Sequence, residues 1–130
     1  MKIRIGLIDD HQLFLKSLSL MIQSFRQYEV VVEALNGRDF QQKLELQDED
    51  PDITLIDVNM PVMAGVETAR WLSEHYPAMK LVALSMNDED KTIISMIKAG
   101  CCAYLLKDTH PMSSRKHSRK CIQKVFIMVM

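Results

Sequence analysis

The residues of this 130-residue chain that could do chemistry share one habit of position. Asp9 and Asp10 follow the apolar run Ile3 to Ile8, Asp57 follows Ile53 to Ile56, Ser85 follows Leu81 to Leu84, and Lys107 follows Ala103 to Leu106. After a single run, a polar residue merely begins a loop. Four runs out of five that end in carboxylates, a hydroxyl and an amine form a chemically coherent set. Brought together, three carboxylates repel one another unless cations compensate. The Lys107 ammonium is one such cation and a divalent metal the other, so that three negative charges meet three positive ones. Magnesium suits these donors, because a hard ion that keeps several waters is commonly held by one or two carboxylates plus a phosphate oxygen.

Elements that end together must carry these groups. Short β-branched apolar runs lie at Ile3 to Ile8, Val30 to Ala34, Ile53 to Ile56, Leu81 to Leu84 and Ala103 to Leu106, with helix-length segments between them. After Asp10, residues Leu13, Phe14, Leu18, Met21, Ile22 and Phe25 recur at three- and four-residue steps and predict one buried helical face. The segment from Asp88 opens with acidic residues, where the helix dipole favours them, carries Ile93, Ile94 and Ile97, and stops at a left-handed Gly100. Two further helices are expected over about 38 to 47 and 65 to 75. Alternating strands and helices, with strands apolar along their length, predict an α/β fold: a doubly wound, five-stranded parallel sheet with helices on both faces. In such a sheet every strand ends on the same edge, and ligands bind there.

Composition removes several function classes. The longest unbroken apolar run is six residues, as in Val125 to Met130, far short of the roughly 20 that a membrane-spanning helix needs. The amino terminus meets Asp9 and Asp10 before any long apolar stretch, so a secretory leader is not expected. Three cysteines without framework spacing fit reduced thiols in a cytoplasm. Residues 1 to 106 hold 10 Lys/Arg against 16 Asp/Glu, and residues 107 to 130 hold 6 against 1. Any contact with nucleic acid therefore falls to the tail rather than to the body.

Over about residues 2 to 111 the chain resembles a response-regulator receiver domain. The resemblance is carried by Ile8-Asp9-Asp10-His11, by Leu55-Ile56-Asp57-Val58-Asn59-Met60-Pro61 followed by Gly65, by Leu84-Ser85, and by Tyr104-Leu105-Leu106-Lys107-Asp108. The stretches Asp9 to Leu18 and Tyr104 to Asp108 are similar to the subgroup with a LuxR-type (NarL/FixJ-like) DNA-binding output domain, which this chain does not contain. The resemblance implies a flavodoxin-like strand order of 2-1-3-4-5. It implies that Asp57 accepts a phosphoryl group from a histidine of a sensor kinase, that Asp10 holds Mg²⁺ directly and Asp9 mostly through water, and that Asn59 adds its backbone carbonyl. Lys107 then neutralises phosphoryl charge, while Ser85 and Tyr104 form the switch. Asn59 and Asn87 tune dephosphorylation, and the expected output is transcription through a DNA-binding domain, with a homodimer as a further possibility.

Departures from the family pattern gather at the end of the chain. A receiver domain is expected over residues 1–111, and residues 112–130 form an atypical fifth-helix segment, since Ser114, Arg115, His117, Ser118 and Cys121 stand where apolar anchors would be. The basic run Arg115 to Lys120 reads as a solvated face. His11 is expected as a partly exposed residue at a helix start, and Cys101 and Cys102 as small buried thiols. Two rivals remain. A haloacid-dehalogenase-like aspartyl-phosphate phosphatase needs a second Asp two positions after the nucleophile, where this chain has Asn59. A phosphorylation-independent interaction domain has no use for three crowded carboxylates.

Overall fold

The computed structural model of the protein describes residues 2–58, 65–85 and 90–106, without the side chains of residues 85, 90–93, 105 and 106. Its elements alternate: β1 (Ile3–Ile8), α1 (Gln12–Gln23), β2 (Tyr28–Ala34), α2 (Gly37–Glu45), β3 (Ile53–Asp57), α3 (Gly65–His75), β4 (Lys80–Ser85), α4 (Asp90–Lys98) and β5 (Ala103–Leu106). All strand pairs are parallel, and the sheet order is β2-β1-β3-β4-β5. The expected order is therefore the observed one, with its reversal between β1 and β3. Residues 107–130, with the atypical fifth helix read from the sequence, lie outside the described residues, as do Asn59 and Asn87.

The buried strand positions are almost all apolar because both faces of the sheet are covered, while Arg4, Glu29, Glu33 and Lys80 stand where a strand reaches solvent. Side chains alternate across a strand. Ile53 and Leu55 join Ile5, Leu7, Val82 and Leu84 in a core packed under α1. Ile56 joins Ile8, Phe40, Leu44, Leu72, Leu81 and Met96 in the core of the opposite face, under α2, α3 and α4. Thr54 is the polar exception, and its buried hydroxyl donates to Met79 Sδ at 3.0 Å.

Two sequence expectations shift. On α1 the buried residues are Leu15, Leu18, Ser19 and Ile22, while Leu13 is 82% exposed. The face expected from Leu13, Phe14, Leu18, Met21, Ile22 and Phe25 is thereby corrected: Leu13 points outward and Leu15 inward, because leucines occupy more than one face of this helix. On α4, Met96 is buried and Ile94 and Ile97 stand half exposed. Cys101 is buried as expected, but its neighbour Cys102 is exposed, since successive residues entering β5 face opposite ways.

Gly100 ends the α4 segment at φ 122°, the left-handed side that the sequence predicts. Its backbone lies against α3, where Ser73 Oγ stands 2.8 Å from both the Ala69 and Ala99 carbonyl oxygens. A Cβ on Gly100 would fall 1.7 Å from that hydroxyl oxygen. Gly100→Ala is therefore expected to lower stability by at least about 1–2 kcal/mol. In urea unfolding the midpoint should drop with an unchanged slope.

Burial, and secondarily the neighbouring Cys102, pushes the Cys101 thiol from its ordinary 9.0 up to about 12. A folded-state value raised in this way favours the neutral thiol, so its contribution to stability is present below pH 9.0 and fades as pH rises beyond it. Alkylation of the native protein at mildly alkaline pH should modify Cys102 and leave Cys101 intact. Equal labelling of both by peptide mass mapping would contradict the buried placement.

Candidate metal centre and phosphoacceptor site

Register sets the site. Ile8 of β1 pairs with Ile56 of β3, so the next residues, Asp9 and Asp57, emerge side by side from adjacent strands, roughly 4.8 Å apart across the ladder. Each is fixed by continued backbone pairing: the Asp9 N–H donates to the Ala34 carbonyl at 3.0 Å, and the Val58 N–H to the Leu84 carbonyl at 2.9 Å. Asp9 is 0% exposed and Asp57 1%. Asp10 is part-exposed at the mouth.

Gly65 lets the strand end and α3 approach. Its N–H donates to the Val58 carbonyl at 3.3 Å, and a Cβ there would fall 2.5 Å from the Asp57 carbonyl oxygen and 2.8 Å from Val58 Cα. Any larger residue pushes the end of β3 out of place.

Asp9, Asp10, His11 and Asp57 each offer a ligand atom, and these atoms all lie within 4.8 Å of one another. His11 donates its backbone N–H to Asp9 Oδ1 at 2.9 Å, and its ring Nδ1 lies 3.1 Å from the same oxygen and 3.3 Å from Asp10 Oδ1. Asp10 Oδ1 is shut off from solvent and takes no hydrogen bond among the described residues; the His11 ring is near it, but not in hydrogen-bonding geometry. A buried carboxylate oxygen left in this state suits a cation better than a neutral neighbour. The donor set fits a hard divalent metal.

The opposite edge of the sheet shows what happens where the protein supplies its own cation. There Arg4 lies 2.8 Å from Glu49 and 3.3 Å from Asp52, and its backbone N–H donates to Asp52 Oδ2 at 2.9 Å. The protein thus places one cation of its own between two of the acids.

Of the other residues read from the sequence, Ser85 is the last residue of β4 and pairs with Leu106, which puts its backbone on the same carboxyl edge as Asp57. Its side chain, together with Asn59, Asn87 and Lys107, lies outside the described residues. Tyr104 on β5 is 43% exposed and turned away from the core. From its adjacency to the acid pair, contact of His11 with the metal is a reading that ranks below that of a partly exposed residue at a helix start; the ring is indeed part-exposed, and it stands near both carboxylates.

A doubly wound parallel sheet with a carboxylate cluster at its carboxyl edge places the chain among α/β domains whose sites are suited to a metal ion. Similarity narrows the class. The model of the response regulator receiver domain matches residues 5–117. The chain is 38% identical over 108 residues to the transcriptional regulatory protein DegU of Brevibacillus brevis, covering 82% of this chain and 44% of that one. It is 37% identical over 106 residues to the nitrate/nitrite response regulator NarL of Escherichia coli K12, covering 81% and 48%. The chain thus spans about half the length of these relatives. A solved signal receiver domain assigned to NarL of Mycobacterium tuberculosis superposes with a TM-score of 0.80 at 26% identity, covering 98% of this chain and 94% of that one. Chemotaxis protein CheY4 of Vibrio cholerae shares the fold, with a TM-score of 0.82 at 21% identity and full coverage of both chains. This chain belongs to the response regulator receiver domain family, the receivers of two-component systems, which are signalling domains rather than classical enzymes.

A divalent cation that binds only the folded state should stabilise it by about 2.7 kcal/mol at a hundredfold excess over its dissociation constant. Asp10→Asn should remove most of that gain in denaturant titrations with and without the metal. A gain of equal size in the variant would place the cation elsewhere.

Proposed function

We propose that Asp57 is the phosphoacceptor of this receiver, and that it takes its phosphoryl group from a phosphohistidine of a sensor kinase. The observation that carries the proposal is the burial of Asp57 at the end of the central strand, with its carboxylate within 4.8 Å of the Asp9 and Asp10 ligand atoms. In the transfer an Asp57 oxygen forms the new O–P bond as the donor P–N bond breaks, and the electron pair returns to the imidazole nitrogen. Asp10 directly, Asp9 mainly through water, Asp57 itself and the Asn59 backbone carbonyl hold Mg²⁺ in this proposal. The ion supplies charge neutralisation between the carboxylates and the phosphoryl oxygens. Lys107, which follows β5 in the sequence, takes a further oxygen. The protein's own task is then to position and to neutralise.

The switch follows from charge. Phosphorylation replaces a carboxylate by a group of about −1.5 to −2 with three acceptor oxygens. Ser85 supplies a hydroxyl donor from the end of the neighbouring strand, and a hydrogen bond to a charged group contributes roughly 1.5 to 3 kcal/mol. Tyr104, 43% exposed as it stands, turns inward as that hydroxyl moves. The change is thereby passed to the α4–β5 face, where half-exposed Ile94 and Ile97 also stand and a homodimer contact would form. Transcription control through a DNA-binding domain is the output we infer, because the relatives named above are transcriptional and nitrate/nitrite response regulators about twice as long as the matched segment. Asn59 and Asn87 set the lifetime of the acyl phosphate, which makes the domain a participant in its own dephosphorylation. No helix among the described residues is long and apolar enough to cross a membrane, and a cytoplasmic site of action is part of the proposal.

Incubation with acetyl phosphate and Mg²⁺ should add a single phosphoryl mass to the intact protein, and Asp57→Asn should abolish it. Rapid multiple turnover of the phosphodonor would instead favour the phosphatase reading. An adduct that survives in Asp57→Asn would remove Asp57 from its role. Substitution of Asn59 or Asn87 should change the decay rate of the adduct without preventing its formation; decay unchanged in both variants would contradict the lifetime role.

A further inference from the structure

Helix α1 begins at an unusual residue. Its N-cap is His11, a position where Ser, Thr, Asp or Asn ordinarily accepts a hydrogen bond from the first turn. The His11 side chain makes no capping bond, and the first turn of α1 holds no acidic residue. α2 shows the ordinary arrangement, in which the Asn36 side chain accepts from the Asp39 N–H at 2.8 Å. With no part in capping, the imidazole faces the carboxylates instead, its Nδ1 3.1 Å from Asp9 Oδ1 and 3.3 Å from Asp10 Oδ1. The backbone N–H of His11 already donates to that Asp9 oxygen at 2.9 Å, so the ring contact is not needed to hold the carboxylate.

The distances are those of a coordination shell. Donors bound to one octahedral ion at roughly 2.1 Å stand about 3 to 4 Å from one another. Nδ1 meets this with Asp10 at 3.3 Å, its 3.1 Å contact with Asp9 Oδ1 has the geometry of a hydrogen bond, and the whole set including Asp57 lies within 4.8 Å, so the outer donors must close in slightly around an ion. The His11 side chain is 57% exposed, so its ring can adjust without disturbing the core.

We propose that His11 Nδ1 is a direct ligand of the cation at this site, which makes the site a mixed oxygen and nitrogen centre with a preference for first-row transition dications over magnesium. Imidazole gains most with the later first-row dications and least with manganese(II), which nonetheless accepts a nitrogen donor more readily than magnesium, a hard ion that takes oxygen donors and keeps its waters. The inference rests on the receiver reading for the existence of the cation site and adds one donor and a metal preference to it. Magnesium still supports phosphorylation through the carboxylates, and manganese(II) gains the nitrogen.

Manganese(II) bound to the full chain is the probe. Pulsed electron paramagnetic resonance should show nitrogen modulation from a directly bonded imidazole, and His11→Asn should abolish it. Asn places an amide near the Nδ1 position, keeps a polar contact with Asp9 and is a favoured N-cap, so the helix start is preserved. In competition titrations this variant should lose about tenfold in its manganese-to-magnesium affinity ratio, the size of one lost favourable contact. A role in merely orienting Asp9 would leave the ratio intact in His11→Asn and reduce it only in His11→Ala, which would overturn the proposal. Absence of nitrogen modulation in a wild-type chain that binds manganese and is phosphorylated with magnesium would overturn this inference alone. A wild-type chain that binds neither ion would overturn it together with the receiver reading.

Discussion

The mutual repulsion of carboxylates crowded at the end of a closely packed sheet is the constraint on which this structure turns. Asp9 and Asp57 are buried because they continue β1 and β3, two strands locked in register by Ile8 and Ile56. The backbone gives them no freedom to move apart, since their neighbours' ladder bonds run to Ala34 and Leu84. Charges that cannot separate and cannot reach bulk water need a cation. A site that is unfavourable when bare is also one that responds strongly when charge arrives, and that is the property a phosphorylation switch requires.

The rest of the fold serves this arrangement. Two cores clamp the sheet from both faces, so that the carboxyl edge is held rigidly while the acids project from it. Gly65 allows α3 to begin directly against the Asp57–Val58 backbone, and no side chain fits in the gap. At the other edge Arg4 brings one guanidinium to Glu49 and Asp52. At the functional edge three carboxylates gather, and the proposal sets a bound cation together with Lys107 against them.

Much of this was legible in the sequence because strands and their ends obey short-range rules. Apolar runs that stop abruptly at Asp9, Asp57 and Ser85 gave strand, edge and chemistry at once, and Gly100 marked a helix end by the backbone angle that only glycine adopts readily. Less legible was anything decided by contact across the fold. Spacing wrongly places Leu13 on the inward face of α1, where it is exposed while Leu15 is buried, because leucines stand on more than one face of that helix and spacing does not rank them. Tyr28 and Glu29 extend β2 earlier than its apolar run, since pairing with Ile3 and Arg4 carries the strand past the hydrophobic signal. The turn of the His11 ring toward the acids depends on side-chain torsions that no sequence pattern encodes.

The most direct test of the account is a paramagnetic mapping of the cation. With a trace of manganese(II), the amide resonances of Asp9, Asp10, His11, Asp57 and Val58 should broaden first, while those of Arg4, Glu49 and Asp52 at the opposite edge remain sharp. Broadening centred on the Arg4 edge, or spread evenly over the acidic surface, would contradict the claim that the crowded carboxylates at the carboxyl edge hold one metal ion.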